Sequence, residues 1–307
     1  MGFVLSLALS IEYFSTVLAL ICLPINIIFV LFVYKERRRA PFDSPFFRLC
    51  IHLSMADILM EIFCTLFLKF PMFGLFPTSF YKENWSMLPL MGVNYFGHAQ
   101  AIGIIAIAFN RFTAVFFPIQ HKQKWWRPNV VRLVLILQWT IPILFILPLF
   151  FADFNFIFNL QYGSVIFSAK NRDFHTIYFI GIGILDGIFI NIVVSFLYAA
   201  IFFRVQSHPV VQKPGELAMR LALSAFIIFT SYLCLGIFAF LSAIAPPPDA
   251  WTFRTLWFVV NDVLCASNAP VLLALNRPVR QIFLEKIGMR QKTTVHTNSL
   301  LSYNNNA

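Results

Sequence analysis

The chain is expected to be an all-α membrane protein, a seven-transmembrane helix bundle, on three observations. Of its 307 residues, 59% are hydrophobic and only 12% are charged, with a mean hydropathy of +0.77. A soluble domain carries roughly twice that share of charge. Seven apolar runs are long enough to span, at about 20 residues per crossing. Lys and Arg are sorted between alternate loops, 18 of the 23 on one side. By the positive-inside rule that side is cytoplasmic, which puts the N-terminus outside and the C-terminus inside. The same sorting accounts for the net charge of +10 without nucleic acid.

The first run, 11–34, holds Asn26 just after Pro24. The second, 46–72, carries Asp57 and Glu61, four residues apart and so on one helical face. Two carboxylates that close in a low dielectric do not both stay charged unaided: one holds a proton or the pair shares a cation. The third run, 88–110, contains Asn94, Gly97, His98 and Gln100 and ends at Asn110-Arg111-Phe112. Gln100 lies nearly three turns before Arg111 and points the same way, whereas His98 is rotated off that face. An arginine where the hydrocarbon should stop is costly unless it reaches the interface or a partner. It either snorkels or serves a cytoplasmic partner.

The fourth run, 130–151, sets Trp139 among Pro142 and Pro148, a pattern of aromatic packing with kinks. The fifth, 174–203, contains Tyr178 and places Asp186 among Gly181, Gly183 and Gly187. No strand precedes these glycines, so close helix approach is the better reading than a nucleotide loop. The sixth, 219–244, holds Tyr232, and the seventh, 254–275, holds Asn261, Asp262, Ser267, Asn268 and Pro270. After it, Val279, Ile282, Phe283 and Ile287 share one face, which predicts a short amphipathic helix over about 277–289 on the cytoplasmic leaflet. Residues 1–290 thus form one membrane domain, and 291–307 a polar, disordered tail.

All five cysteines lie in or beside apolar runs, so no disulfide framework is expected. Asn84-Trp85-Ser86 is a glycosylation sequon on the outer side. The N-terminus has no basic region or cleavage site of a removable signal peptide, and its loose myristoylation pattern would face outside. No internal repeat is evident.

These features resemble a rhodopsin-like G-protein-coupled receptor. Asn26 resembles that family's span-1 asparagine, and Leu53-Ser54-Met55-Ala56-Asp57 its span-2 motif. Asn110-Arg111-Phe112 stands where the family has Asp/Glu-Arg-Tyr, with Pro118 following; Trp139 resembles the span-4 tryptophan, and Asn268-Ala269-Pro270 the span-7 Asn-Pro. The departures are equally specific. Ser86 holds the position of the span-3 cysteine, 228–237 lacks both Trp and Pro, and the span-7 tyrosine is replaced within Val271-Leu272-Leu273. These departures, the run Asn110 to Pro118 and the Phe-rich spans (Phe supplies 38 residues) are similar to nematode serpentine chemoreceptors of the Srg superfamily, Srv branch, over about 11–290.

The resemblance implies a small-molecule ligand between spans 3, 5, 6 and 7, near Asn94, His98, Tyr178, Asp186, Tyr232, Asn261 and Asp262. It implies a heterotrimeric G protein as partner through Asn110, Arg111, Phe112 and Pro118, and a polar core of Asn26, Asp57, Glu61, Gln100, Asn268 and Pro270. Because Asn110 replaces the acid, Glu216 is placed to restrain Arg111 instead. The implied location is the plasma membrane, in the cilia of sensory neurons. No enzyme chemistry, cofactor or metal is implied. The rival is an ion-coupled transporter or channel using Asp57, Glu61, Asp186 and Asp262, against which the missing repeat weighs. A retinal-linked receptor needs a span-7 lysine, and 254–275 has none.

Overall fold

Proline marks where several helices begin. Ser44-Pro45 and Arg127-Pro128 put an extended residue before a proline in the first turn, where its missing N–H costs nothing. Phe117 leaves helical geometry just before Pro118 and so ends the third span. A computed structural model of the chain describes residues 2–72, 75, 87–151, 154–159, 164–169, 172–207, 230–242, 244–245, 249–286 and 288.

Helix α1 is Gly2–Glu36. Helix α2 is Pro45–Cys64, continued by a π-helical turn Thr65–Lys69 and a last turn Phe70–Met72. Helix α3 is Met87–Phe116. Helix α4 is Pro128–Ile146, with a 3₁₀ extension Leu147–Phe151. Helix α5 runs through Arg172–Ile184, a π-helical segment Leu185–Ile190, and Asn191–Ser207. Helix α6 is Thr230–Ser242, α7 is Asp249–Leu275 and α8 is Arg277–Lys286. Six of these helices, α1 to α5 and α7, are long and apolar enough to cross a membrane, while α6 is a shorter apolar helix. Most of the expected first half of the sixth span, with Glu216, lies outside the described residues, as do Asn84 and the tail 291–307.

The spans are helical, as their composition dictates. Among the described residues, the departure from the all-helical expectation is an antiparallel hairpin between α4 and α5, strands β1 (Phe154–Asn159) and β2 (Ser164–Ala169), with Phe154 opposite Ala169.

The main core gathers residues of α1 to α7, among them Phe29, Leu49, Ala108, Val194, Leu235 and Leu272, with Val279 of α8. Gly92 lets α2 and α3 meet, because a Cβ there would fall 2.0 Å from the Phe63 ring. The expected close approach at the span-5 glycines is not compelled. A Cβ at Gly183 would make ordinary contact with Phe240 at 3.5 Å, and one at Gly181 would meet nothing. The apolar face of α8, expected on the leaflet, packs instead on protein. Val279 and Phe283 are buried, and the Phe283 ring sits 5.2 Å from Phe32 and 6.4 Å from Phe29 of α1. Asn276 caps this helix by accepting from the Val279 N–H at 3.3 Å.

Candidate functional site

Polar side chains gather at three levels of the bundle. At the end near α8, the Arg111 guanidinium carbon lies 4.9 Å from the centroid of the Phe46 ring in the first turn of α2. Phe46 is itself held edge-on by Phe47 at 5.2 Å. Phe112 stacks on Phe116 at 4.5 Å, and Arg204 of α5 lies over Phe116 at 5.8 Å. Asn110 is buried, and its amide nitrogen has no hydrogen-bond partner among the described residues. An aromatic face, the Phe46 ring, receives the arginine, while Glu216, expected to restrain it, lies outside the described residues.

The loop after Pro118 is tied back to α3. The Thr113 hydroxyl accepts from the buried Trp126 indole at 2.8 Å and lies 3.0 Å from His121 Nδ1. The Trp125 and Trp126 rings flank Phe109 at 5.5 Å and 6.2 Å. This knot fixes where the loop leaves the helix that carries Arg111.

At mid-bundle both Asp57 oxygens are engaged by neutral amides. Gln100 donates to Oδ1 and Asn268 to Oδ2, each at 2.8 Å. Asn268 also reaches Ser54 at 3.3 Å, and Gln100 reaches the Cys265 sulfur at 3.3 Å. A cavity of about 10 Å³ lined by Leu53, Asp57, Ile104, Leu264 and Asn268 adjoins them, room for about one water. Asn26, expected in this cluster, stands beside it and donates to the Cys265 carbonyl at 3.0 Å. Pro270 lies inside α7 one half-turn further on.

Glu61 does not join Asp57; the two acids take separate partners. Glu61 Oε1 accepts from Thr65 at 3.1 Å, one turn nearer the opposite end of the bundle. There Lys69 forms a fully buried ion pair with Asp262, and Ser15 donates to the other Asp262 oxygen at 2.7 Å. Asn261 reaches the Cys64 sulfur at 3.8 Å.

The residues expected to line one ligand cavity therefore fall into separate groups. The His98 ring lies against Phe145, tilted by 38° with centroids 4.6 Å apart, and the Tyr178 hydroxyl donates to the Phe145 carbonyl at 2.9 Å. Asn94 turns back to its own helix, donating to the Leu90 carbonyl at 2.7 Å. Tyr232 is buried in the main core. Asp262 and Asn261 face α1 and α2 instead. The Asp186 side chain lies outside the described set.

Sequence reasoning passed over Phe46, Glu12 and Lys69. Glu12 and Lys69 fall inside the apolar runs 11–34 and 46–72, and an ionisable residue within a span was the available signal. Phe46 gave none, being one phenylalanine among 38.

Residues 13–289 match the family model described as serpentine type 7TM GPCR chemoreceptor Srv. The chain is 59% identical to serpentine receptor class V-1 of Caenorhabditis elegans over 300 residues, 97% of each chain. It is also 30% identical to serpentine receptor class gamma-8 of the same organism over 117 residues, 37% of this chain and 36% of the other. With nearly its whole length covered, the chain belongs to the Srv family of serpentine seven-transmembrane chemoreceptors.

Proposed function

We propose that this multi-pass membrane protein is a chemosensory receptor that binds a small environmental molecule from outside and activates a heterotrimeric G protein inside. The observation that carries the reading is Arg111 at the α8 end of α3, laid over the Phe46 ring at 4.9 Å. A guanidinium stacked on a ring is held by a contact of modest strength, which a rearrangement of the helices can exchange for a partner's backbone carbonyls. Ligand binding shifts that equilibrium only by its differential affinity for the two arrangements. The 18-to-5 division of Lys and Arg supports an outside N-terminus and an inside C-terminus. Family membership supports the plasma membrane, and by extension the ciliary membrane of sensory neurons.

The test is a ligand panel on cells expressing the full chain with a promiscuous G protein, with wild type and Arg111→Lys at matched surface level. An epitope ahead of Met1 should be labelled in intact cells, and one after Ala307 only after permeabilisation. Arg111→Lys should reach the surface yet lose most activation, because lysine lacks the planar fork. Undiminished signalling by Arg111→Lys would return this arginine to a membrane-edge residue that merely snorkels.

A further inference from the structure

The buried charges at the end of the bundle where α1 begins are unbalanced. Three carboxylates, Glu12 of α1, Glu61 of α2 and Asp262 of α7, are each at most 2% exposed. Asp262 is satisfied by Lys69, by Ser15 at 2.7 Å and by Thr16 at 3.5 Å. Glu12 is not: neither of its carboxylate oxygens has a hydrogen-bond partner among the described residues, and Glu61 Oε2 is likewise unmatched. Among the described residues, the bases acting electrostatically on Glu12 are Lys69 and, nearer the start of α7, Arg254. Among the described residues, two cations therefore face three acids, with acceptor oxygens to spare. A buried acceptor without a donor costs about 1–3 kcal/mol, more when charged, so the cluster is built for a further donor.

The position of Lys69 shows what kind of donor. Asp57 and Asn268 set a common level on the antiparallel helices α2 and α7. From there Lys69 is on the order of 18 Å along α2 and Asp262 on the order of 9 Å along α7, at 1.5 Å per residue. The lysine side chain thus reaches back into the bundle, where an ordinary snorkelling lysine would reach outward to water. It is 0% exposed and sits at the end of the π-helical turn Thr65–Lys69. Such a turn is a local insertion, and its rearrangement would rotate the side chain that follows it. A divalent metal fits poorly, since among the described residues no three acidic, histidine or cysteine side chains converge as a metal-binding set.

We propose that the space between α1, α2 and α7 is a binding site for an organic ammonium ligand, filled in this structure by the chain's own Lys69. This rests on the receptor reading and deepens it by naming the ligand class and its anchor, Asp262, with Glu12 and Glu61 as further acceptors. A ligand ammonium takes the place of the lysine ammonium at Asp262, and Lys69 withdraws with its turn of helix.

The test uses the full chain purified in detergent, with n-butylammonium as probe because its four carbons and ammonium reproduce the lysine side chain. Thermal unfolding is followed at fixed pH for wild type, Lys69→Ala, and Lys69→Ala with Asp262→Asn, with n-butanol and sodium chloride as controls. At about ten times its dissociation constant the amine should raise the midpoint of Lys69→Ala by about 2–4 °C. It should raise that of wild type at higher concentration, because Lys69 competes, and should leave the double variant unmoved. If Lys69→Ala fails to fold, the wild-type shift and its loss in Glu12→Gln decide. An equal effect of n-butanol, a shift surviving Asp262→Asn, or a shift in Lys69→Ala but never in wild type overturns the proposal. These readouts need no G protein, so their failure leaves the signalling reading to its own assay.

Discussion

Phe46→Leu tests the ring contact made by Arg111. Leucine keeps an apolar body against Phe47 and removes the π face that receives the guanidinium at 4.9 Å. A cation–π contact is worth about 0.5–1 kcal/mol when exposed and about 2 when desolvated. Arg111 and Phe46 are both half-buried, which sets the contact at about 1 kcal/mol, or a factor of about 5 in an equilibrium. If the resting receptor is about 1% active, a typical minor-state population, Phe46→Leu should signal without ligand at about 5%. Phe46→Trp, with a stronger π face, should hold basal signalling at or below the wild-type level. The assay is ligand-free G-protein activation in cells, normalised to surface receptor. Equal basal signalling by the leucine and tryptophan variants would show that the ring only fills space.

Asp57→Asn should still reach the surface while altering signalling. The asparagine oxygen can accept only one of the two amides, and the other donor then faces an NH2 group, a loss of about 1–3 kcal/mol. Because Gln100 and Asn268 already occupy both Asp57 oxygens, exchanging sodium for choline should leave wild-type responses unchanged, and a sodium-dependent shift would refute this assignment. Gly92→Ala should lower the thermal midpoint by an amount equivalent to about 1–3 kcal/mol, since the Phe63 ring must move. Gly97→Ala, whose Cβ would meet nothing nearer than 4.0 Å, should not, and equal midpoints would refute the close contact. All five cysteines are free, so mild reductant should leave thermal stability unchanged; a fall would reveal a disulfide.

The long spans were legible because burying backbone in lipid demands helix, and twenty apolar residues announce it. The pairing of Gln100 with Asp57 was within reach too, since intramembrane polar groups seek one another. What spacing could not deliver was which helix each polar face meets. Asp262 shares α7 with Asn268, yet it turns to α1 and a lysine of α2, six residues beyond the level where Asn268 meets Asp57. Asp57 and Glu61 share a face by number, but Thr65 and the π-helical turn give Glu61 a separate setting. The turn itself left no mark in Thr65-Leu66-Phe67-Leu68-Lys69 that distinguishes it from α-helix. The spacing of Val279 and Phe283 marks an apolar face on α8, but amphipathicity does not tell lipid from the Phe29 and Phe32 rings that cover it.

All three polar levels share one element. Helix α2 supplies Phe46 to Arg111, Asp57 to Gln100 and Asn268, and Lys69 to Asp262. Two polar residues of α3 meet it, Gln100 and Arg111, eleven residues apart and on one face. A rotation of α3 about its axis therefore strains both contacts together, and neither can be released by a local rotamer change without leaving the other in place. Helix α7 also meets α2 through Asn268, Asp262 and Asn261, and Gln100 touches α7 at the Cys265 sulfur. Exchange of the Lys69 ammonium at one end is thus two polar contacts removed from Arg111 at the other, and these contacts sit within the apolar core that joins the same helices. Under the proposed receptor function, a rearrangement of α3 against α2 would have to break or exchange these contacts together, so Asp57→Asn and Phe46→Leu should act non-additively on basal signalling; additive effects would show that the two levels are independent.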